Sequence, residues 1–228
     1  MNAWFVTATG TDIGKTAVAA CLLNAWAKQG KQPAAFKPVV SGYNEASPQG
    51  SDPYQLALAL GLNVQDPAIL HNISPWRFLP ALSPDMAAAR ESKNIPFDAV
   101  VAESRKRIAA AQGPLLIEGA GGIGVPLDDT HLMRDLMTEL GLPVVLVAGT
   151  YLGTISHTLT ALDSLKMANI ECAAIILSES VDSPVPPAET AAAIRRFVED
   201  IPIGILPRQE NEEAPWETAP DLTPLLSA

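Results

Sequence analysis

The chain has 228 residues, 48% hydrophobic and 18% charged, and its 25 acidic and 15 basic side chains leave a formal net charge of −10. That balance excludes a broad nucleic-acid-binding face, which must present cations to phosphates. The mean hydropathy of +0.17 is high, but no run of about eighteen apolar residues escapes charges or breakers, so a parallel sheet covered on both faces is expected and a membrane span is not.

In chain order, Ala3–Val6 reads as a strand that runs directly into a glycine-bearing loop. Residues 15–29 then carry Val18, Leu22, Leu23 and Trp26 at helical spacing, with Gly30 as the stop signal. Ala34–Val40 reads as a second strand, and the Gly-, Ser-, Pro- and Asn-rich stretch Ser41–Ser51 reads as a loop. Helices are expected over Asp52–Leu60 and Phe97–Ala111, with a proline-punctuated stretch between them. Leu115–Ile117, Val144–Ala148, Ala173–Leu177 and Ile203–Leu206 are strand-length apolar runs, separated by helical periods over about 154–167 and Ala188–Val198. Strand alternating with helix predicts the α/β class: one P-loop-like domain over 1–228, a mostly parallel β-sheet with helices on both faces, and an acidic tail from about 208. Cys21 and Cys172 are too few for a disulfide framework or a metal cluster and are expected as buried thiols. The first residues show no basic stretch ahead of an apolar run, so the cytoplasm is the expected compartment.

The chemistry concentrates in three places. Gly14-Lys15-Thr16 lies between a strand and a helix, where backbone amides and the helix N-terminus converge on anionic oxygens. Lys15 would neutralise terminal phosphates, and the Thr16 hydroxyl would ligate Mg²⁺. The strict phosphate-loop pattern wants glycine at position 9, where this chain has Thr9 with Gly10 beside it. Glu118 ends an apolar strand just before Gly119-Ala120-Gly121-Gly122; a divalent cation would offset its desolvation, and capping of a nearby turn is the alternative. Asp52 is either a second metal ligand or part of an ordinary Ser-Asp helix start. Lys37, at the end of the second strand, either faces substrate or is solvated.

Together these segments resemble the dethiobiotin synthetase family, whose phosphate loop reads Val-Thr-Gly-Thr-Asp-Thr-x-Val-Gly-Lys-Thr, one residue longer between its glycines. Val6–Thr16 aligns with it without a gap, Ala8 standing for the family's first glycine and Gly10 for its aspartate. Lys37–Gly42, Ser51-Asp52, Glu118–Gly122 with Pro126-Leu127, and Leu152–His157 match further family segments, so the resemblance runs from residue 3 to about 207. It implies carboxylation of 7,8-diaminopelargonic acid with CO₂ and ATP through a carbamate and a phosphocarbamate, giving dethiobiotin, ADP and phosphate. It further implies catalytic roles for Lys37, Lys15 and Thr11, and Mg²⁺ at Thr16, Asp52 and Glu118. Nucleotide contacts fall on Asp12, Ile13, Gly14, Lys15, Thr16, Ala17, Ser178, Pro207 and Glu210. Substrate contacts fall on Ser41, Gly119, Ala120, Gly121 and Gly122, with the distal carboxylate held by Tyr151, Leu152, Gly153, Thr154 and Ser156 of the partner in a homodimer. Ser156 and Ser178 both replace an asparagine usual in the family, and at Ser178 the change implies relaxed discrimination among ATP and other nucleoside triphosphates.

Two rival readings share the scaffold. A cobyric-acid-type ligase would pair it with a Cys-His-Glu glutaminase arrangement, which Cys172, His71, His131 and His157 do not form. A partitioning-type nucleotide switch carries an extra lysine early in the phosphate loop, and positions 8–13 contain none.

Overall fold

The computed structural model describes residues 2–198, 200–208 and 214–226. Six strands, β1 (Ala3–Ala8), β2 (Ala34–Phe36), β5 (Leu115–Glu118), β6 (Val144–Ala148), β7 (Cys172–Ser178) and β8 (Ile203–Leu206), form one sheet in the order β2-β5-β1-β6-β7-β8. Every pairing in it is parallel. Parallel neighbours need crossover connections, and the intervening helices supply them. The chain leaves β1 toward β2 on one side and later crosses from β5 to β6 on the other. The connections therefore diverge at β1, and a crevice opens beyond the carboxyl ends of the central strands.

Period-two alternation divides the core between the two faces of the sheet. Val6, Ala8, Leu116, Val145 and Val147 face α1 (Lys15–Lys28) and α2 (Asp52–Ala59). Phe5, Leu115, Ile117, Val144 and Leu146 face α5 (Phe97–Ala110), α6 (Met133–Leu140) and α7 (Thr154–Met167). Strands buried on both sides explain the apolar runs and the high mean hydropathy. After β8, two short 3₁₀ turns, Pro215–Glu217 and Thr223–Leu226, bring Trp216, Leu222 and Leu226 into the α1 side of the core. The far end of this weakly periodic tail is therefore packed structure.

The expected single strand Ala34–Val40 is in fact two. β2 stops at Phe36, and β3 (Val39–Ser41) pairs with β4 (Trp76–Phe78) in a separate parallel ribbon. Pro38 brings no N–H to a ladder, and the Lys37 amide bonds the Ile73 carbonyl at 2.9 Å in place of a strand neighbour. The proline-punctuated stretch holds α3 (Pro67–Ile73), β4 and α4 (Pro84–Arg90), each helix opening on its proline. Helix α6 was missing from the sequence reading, although Met133, Leu136, Met137 and Leu140 keep helical spacing. The Asp135 carboxylate accepts the Leu132 amide at 2.7 Å, and Gly141, at φ 60°, ends the helix. α8 (Pro187–Arg195) stops short of the expected Val198.

Candidate active site

β1 delivers the chain into the loop at 9–14, and α1 begins at Lys15 with Gly14 as its N-cap. Gly14 sits at φ 94°, and a Cβ there would collide with the Ser178 hydroxyl, so both conformation and space demand glycine. The α1 N-terminus carries no side-chain cap and no acidic residue in its first turn. Its free amides therefore point into the crevice, which suits an anion. Asp12 takes φ 56°, a left-handed conformation that aspartate tolerates better than most residues. Packing sets the loop's height: a Cβ on Gly122 would come within 3.1 to 3.3 Å of Ala8 O and Gly10, so the loop after β5 lies directly against the phosphate loop.

A cavity of about 700 Å³ opens here, lined by residues 11–17, Lys37, Ser41, Asp52, Ala120 and Gly121, with Val40, Leu82 and Val125 on an apolar side. Thr11, Asp12, Ile13, Gly14, Lys15, Thr16 and Ala17 thus line it together with Lys37 and Ser41. The break after β2 is what turns Lys37 inward. Lys37 is 1% exposed, and its ammonium donates to Glu118 Oε1 at 2.9 Å and to the Gly119 carbonyl at 3.0 Å. It also pairs with Asp52 Oδ2 at 2.9 Å. Thr16 Oγ1 lies 2.8 Å from both Asp52 Oδ1 and Glu118 Oε1. Among the described residues Lys15 Nζ reaches only the Gly10 carbonyl, at 3.4 Å.

These contacts set the charges. Burial alone would depress the Lys37 ammonium, but Asp52 and Glu118 outweigh it and hold its pKa above the ordinary lysine value. Burial also pushes the Glu118 carboxyl up, against the pull of Lys37. For Asp52 desolvation acts upward, and Lys37 with the Thr16 hydrogen bond prevails, so its pKa falls. Lys15 is lowered by burial and then by the charge of Lys37. Lys37 is accordingly a fixed cation and Glu118 the more readily protonated carboxyl.

Thr16, Asp52 and Glu118 present a magnesium ion with oxygen donors alone. Among the described residues no group of three or more His, Cys, Asp or Glu gathers. Mg²⁺ does not require one, since it keeps several waters and takes one or two carboxylates plus phosphate oxygens. Thr16 Oγ carries a single proton and cannot donate to Asp52 and Glu118 together. Glu118 Oε2 is buried and has no hydrogen-bond partner among the described residues. Hard oxygens short of protons are what a divalent cation satisfies, so the residues fit Mg²⁺.

Other expected site residues lie elsewhere. The Gly119 amide bonds the Val6 carbonyl at 3.0 Å within the sheet, so Gly119 offers no N–H to a substrate and instead holds Lys37 through its carbonyl. Tyr151, Leu152, Gly153 and Ser156 sit outside the cavity at the N-terminus of α7, with Leu152 88% exposed. Thr154 turns inward: its hydroxyl donates to the Gly149 carbonyl at 2.7 Å and its amide to Tyr151 O at 3.1 Å, so neither group is open to a ligand. His157 meets the Tyr151 hydroxyl through Nδ1 at 2.8 Å. Ser178 lies against Gly14 at the end of β7. Pro207 follows β8 at the surface, and Glu210 lies outside the described residues. The apolar side of the cavity, with Leu82 and Val125, was missed by sequence reasoning. Leu82 falls in the connection after β4, whose pairing with β3 no local pattern announces.

A family model described as an AAA domain matches residues 2–215. The ATP-dependent dethiobiotin synthetase of Caulobacter sp. (strain K31) is 46% identical over 215 residues, covering 94% of this chain and 91% of that protein. That of Acidiphilium cryptum (strain JF-5) is 45% identical over 212 residues, covering 89% of this chain and 95% of that protein. Among solved structures, a ParA family ATPase from Chlorobium tepidum matches with a TM-score of 0.53 at 14% identity, over 99% of this chain and 95% of that one. The cell division ATPase MinD of Pyrococcus furiosus matches with 0.53 at 16% identity, over 91% and 84%. At such identities the likeness concerns the P-loop NTPase fold alone, and it gives the partitioning-switch reading no functional support.

Proposed function

Because the chain belongs to the dethiobiotin synthetase family and is an ATP-dependent ligase of biotin synthesis, we propose that its central cavity carboxylates 7,8-diaminopelargonic acid with CO₂ and closes the ring on the resulting carbamate. The observation that carries this reading is the buried Lys37 ammonium, set 2.9 Å from both Asp52 and Glu118 beside the phosphate loop. The site offers fixed cations and amides and no activated nucleophile, which suits a reaction whose charge builds on carbamate and phosphoryl oxygens.

One substrate amine attacks CO₂ and releases a proton. The carbamate oxygen then takes the γ-phosphoryl group of ATP and ADP departs. The second amine attacks the same carbon and expels phosphate, and loss of its proton leaves the cyclic urea. Lys37 stays protonated throughout and abstracts nothing; with its three N–H groups on Glu118, Asp52 and the Gly119 carbonyl, it acts on the oxygens that gain charge through its fixed positive charge. Lys15, whose charge burial disfavours, is restored as a cation by the terminal phosphates. Thr11 and Ser41, both lining the cavity, position carbamate oxygens, and the free amides at the start of α1 cradle the phosphates. Thr16, Asp52 and Glu118 would hold Mg²⁺, which when bound neutralises charge on the nucleotide's outer phosphates. The apolar side with Leu82 and Val125 fits the aliphatic chain of the diamine.

The distal carboxylate is too far along that chain for the cations of the cavity to serve it. In a homodimer the uncapped α7 N-terminus, with Tyr151, Leu152, Gly153 and Ser156, receives it from the partner, as the family resemblance implies. The whole chain works as one domain. No helix among the described residues is long and apolar enough to cross a membrane, and the cytoplasm is the proposed compartment. Incubating purified protein with diaminopelargonate, bicarbonate, Mg²⁺ and ATP should yield dethiobiotin with stoichiometric ADP and phosphate; nucleotide hydrolysis without that product refutes the reading.

A further inference from the structure

Three consecutive residues after the body of β7 touch three different parts of the site. Ser178 lies against Gly14 of the phosphate loop. The Glu179 amide bonds Leu206 O at 3.0 Å, and its carboxylate accepts the Arg208 amide at 3.0 Å, tying down the segment after β8. Ser180 reaches across to the loop after β6. The Thr150 amide donates to Ser180 Oγ at 3.0 Å, and the Ser180 amide donates to Thr150 Oγ1 at 2.9 Å. The Ser183 hydroxyl, whose single proton has its shorter acceptor in Val185 O at 2.7 Å, also lies 3.3 Å from the Thr150 carbonyl.

This reciprocal exchange is unusual in its economy. Two loops at neighbouring strand ends lack a ladder, and each satisfies the other's buried amide with a hydroxyl. Thr150 is 1% exposed, so an amide that lost its partner here would find no water to replace it. The fit is close as well: a Cβ on Gly149 would stand 2.6 Å from the Tyr151 ring and 2.8 Å from Ser180 Oγ, so no side chain fits there as the loop is packed. Thr154 closes the same turn from inside through its 2.7 Å bond to Gly149 O. Immediately beyond lie Leu152, Gly153 and Ser156, which stand at the surface with Leu152 88% exposed.

We propose that Thr150 and Ser180 are positioning residues that set the α7 N-terminus against the nucleotide-facing end of β7, and so fix where the substrate's distal carboxylate is received. This deepens the carboxylate reading proposed above and rests on it. Neither residue touches substrate. Each acts through the loop it holds, and in the dimer the pair links one subunit's nucleotide cavity to the carboxylate subsite serving its neighbour.

Thr150→Val removes the hydroxyl at nearly constant volume, Thr150→Ser retains it, and Ser180→Ala, at a half-exposed position, guards against a misfolded Val variant. The substrates are diaminopelargonate and its uncharged methyl ester. Loss of one positioning hydrogen bond should raise KM for the acid about three- to tenfold in Thr150→Val and Ser180→Ala, with kcat and ATP affinity unchanged. KM for the ester should not move, and Thr150→Ser should restore parental KM for the acid. An unchanged KM for the acid in Ser180→Ala overturns the proposal. So does an equal rise for acid and ester, which would mark the pair as general support of the fold. A parental enzyme that takes acid and ester alike overturns the carboxylate reading itself, a distinct result that removes this proposal with it.

Discussion

Replacing Lys37 by methionine keeps most of the side-chain volume and removes the buried cation. In the parent that cation sits 2.9 Å from Glu118, itself 1% exposed, and 2.9 Å from Asp52, whose side chain is 39% exposed. Stripping one partner from a buried pair costs about 3–5 kcal/mol; the openness of Asp52 places the expected loss near the lower end, about 3 kcal/mol. For a chain of this size each kcal/mol moves Tm by about 2–4 °C, so the variant should melt about 6–12 °C below the parent near neutral pH. The sign of the pH dependence follows from the shifts. The raised Lys37 pKa gives stability that is complete below the ordinary lysine value and fades as pH rises through the folded one. The lowered Asp52 pKa gives stability present above the ordinary carboxylate value and lost as pH falls through the folded one. Glu118, already pushed upward by burial, takes a proton early on acidification and relieves the unpaired charge. The deficit should therefore be largest between about pH 5 and pH 10 and shrink in acid. Dethiobiotin formation should fall by about 10²–10³, the usual effect of losing one preorganised electrostatic donor, while ATP binding persists through the phosphate loop. Calorimetry across pH with a coupled product assay measures both. A variant that melts with the parent at pH 7.5 and turns over diaminopelargonate at the parental rate refutes the reasoning.

The remaining predictions concern nucleotide, backbone and thiols. Ser178 offers a short hydroxyl packed against the phosphate loop where the family has an asparagine, so steady-state rates with ATP, CTP and GTP should lie within about tenfold of one another, the range one hydrogen bond spans; a strong preference for ATP contradicts the assignment. Gly14→Ala should abolish nucleotide binding measured calorimetrically, and Ser178→Gly should not rescue it, because relieving the collision leaves the φ of 94° unrelieved. Burial pushes the Cys21 and Cys172 thiols up to about 12, so native protein at pH 8 should resist iodoacetamide while unfolded protein reacts at both; rapid alkylation of the native chain would show those positions open.

The local signals in the chain determined more than its motifs. Both-face burial of a parallel sheet makes strands read as continuous apolar runs, so the six main strands were legible, and Gly14-Lys15-Thr16 between strand and helix marked the anion site, because helix N-termini bind anions wherever they occur. Lys37, Asp52 and Glu118 were readable as charged residues at strand and helix ends, each with an ordinary alternative. Only the tertiary structure decided among those alternatives. The three residues lie far apart along the chain, and whether a carboxylate caps a turn or shares a lysine depends on distances that propensity does not carry. The same holds for β3 and β4, three-residue strands stabilised mainly by each other, and for Thr150 with Ser180, thirty residues apart and joined by two hydrogen bonds. In the other direction, α6 went unread although Met133, Leu136, Met137 and Leu140 keep helical spacing, because its eight residues give a short window for a helical period. Sequence determines what each segment can become. Which distant groups then meet, and which charge each one keeps, is a property of burial, and burial exists only once the chain has folded.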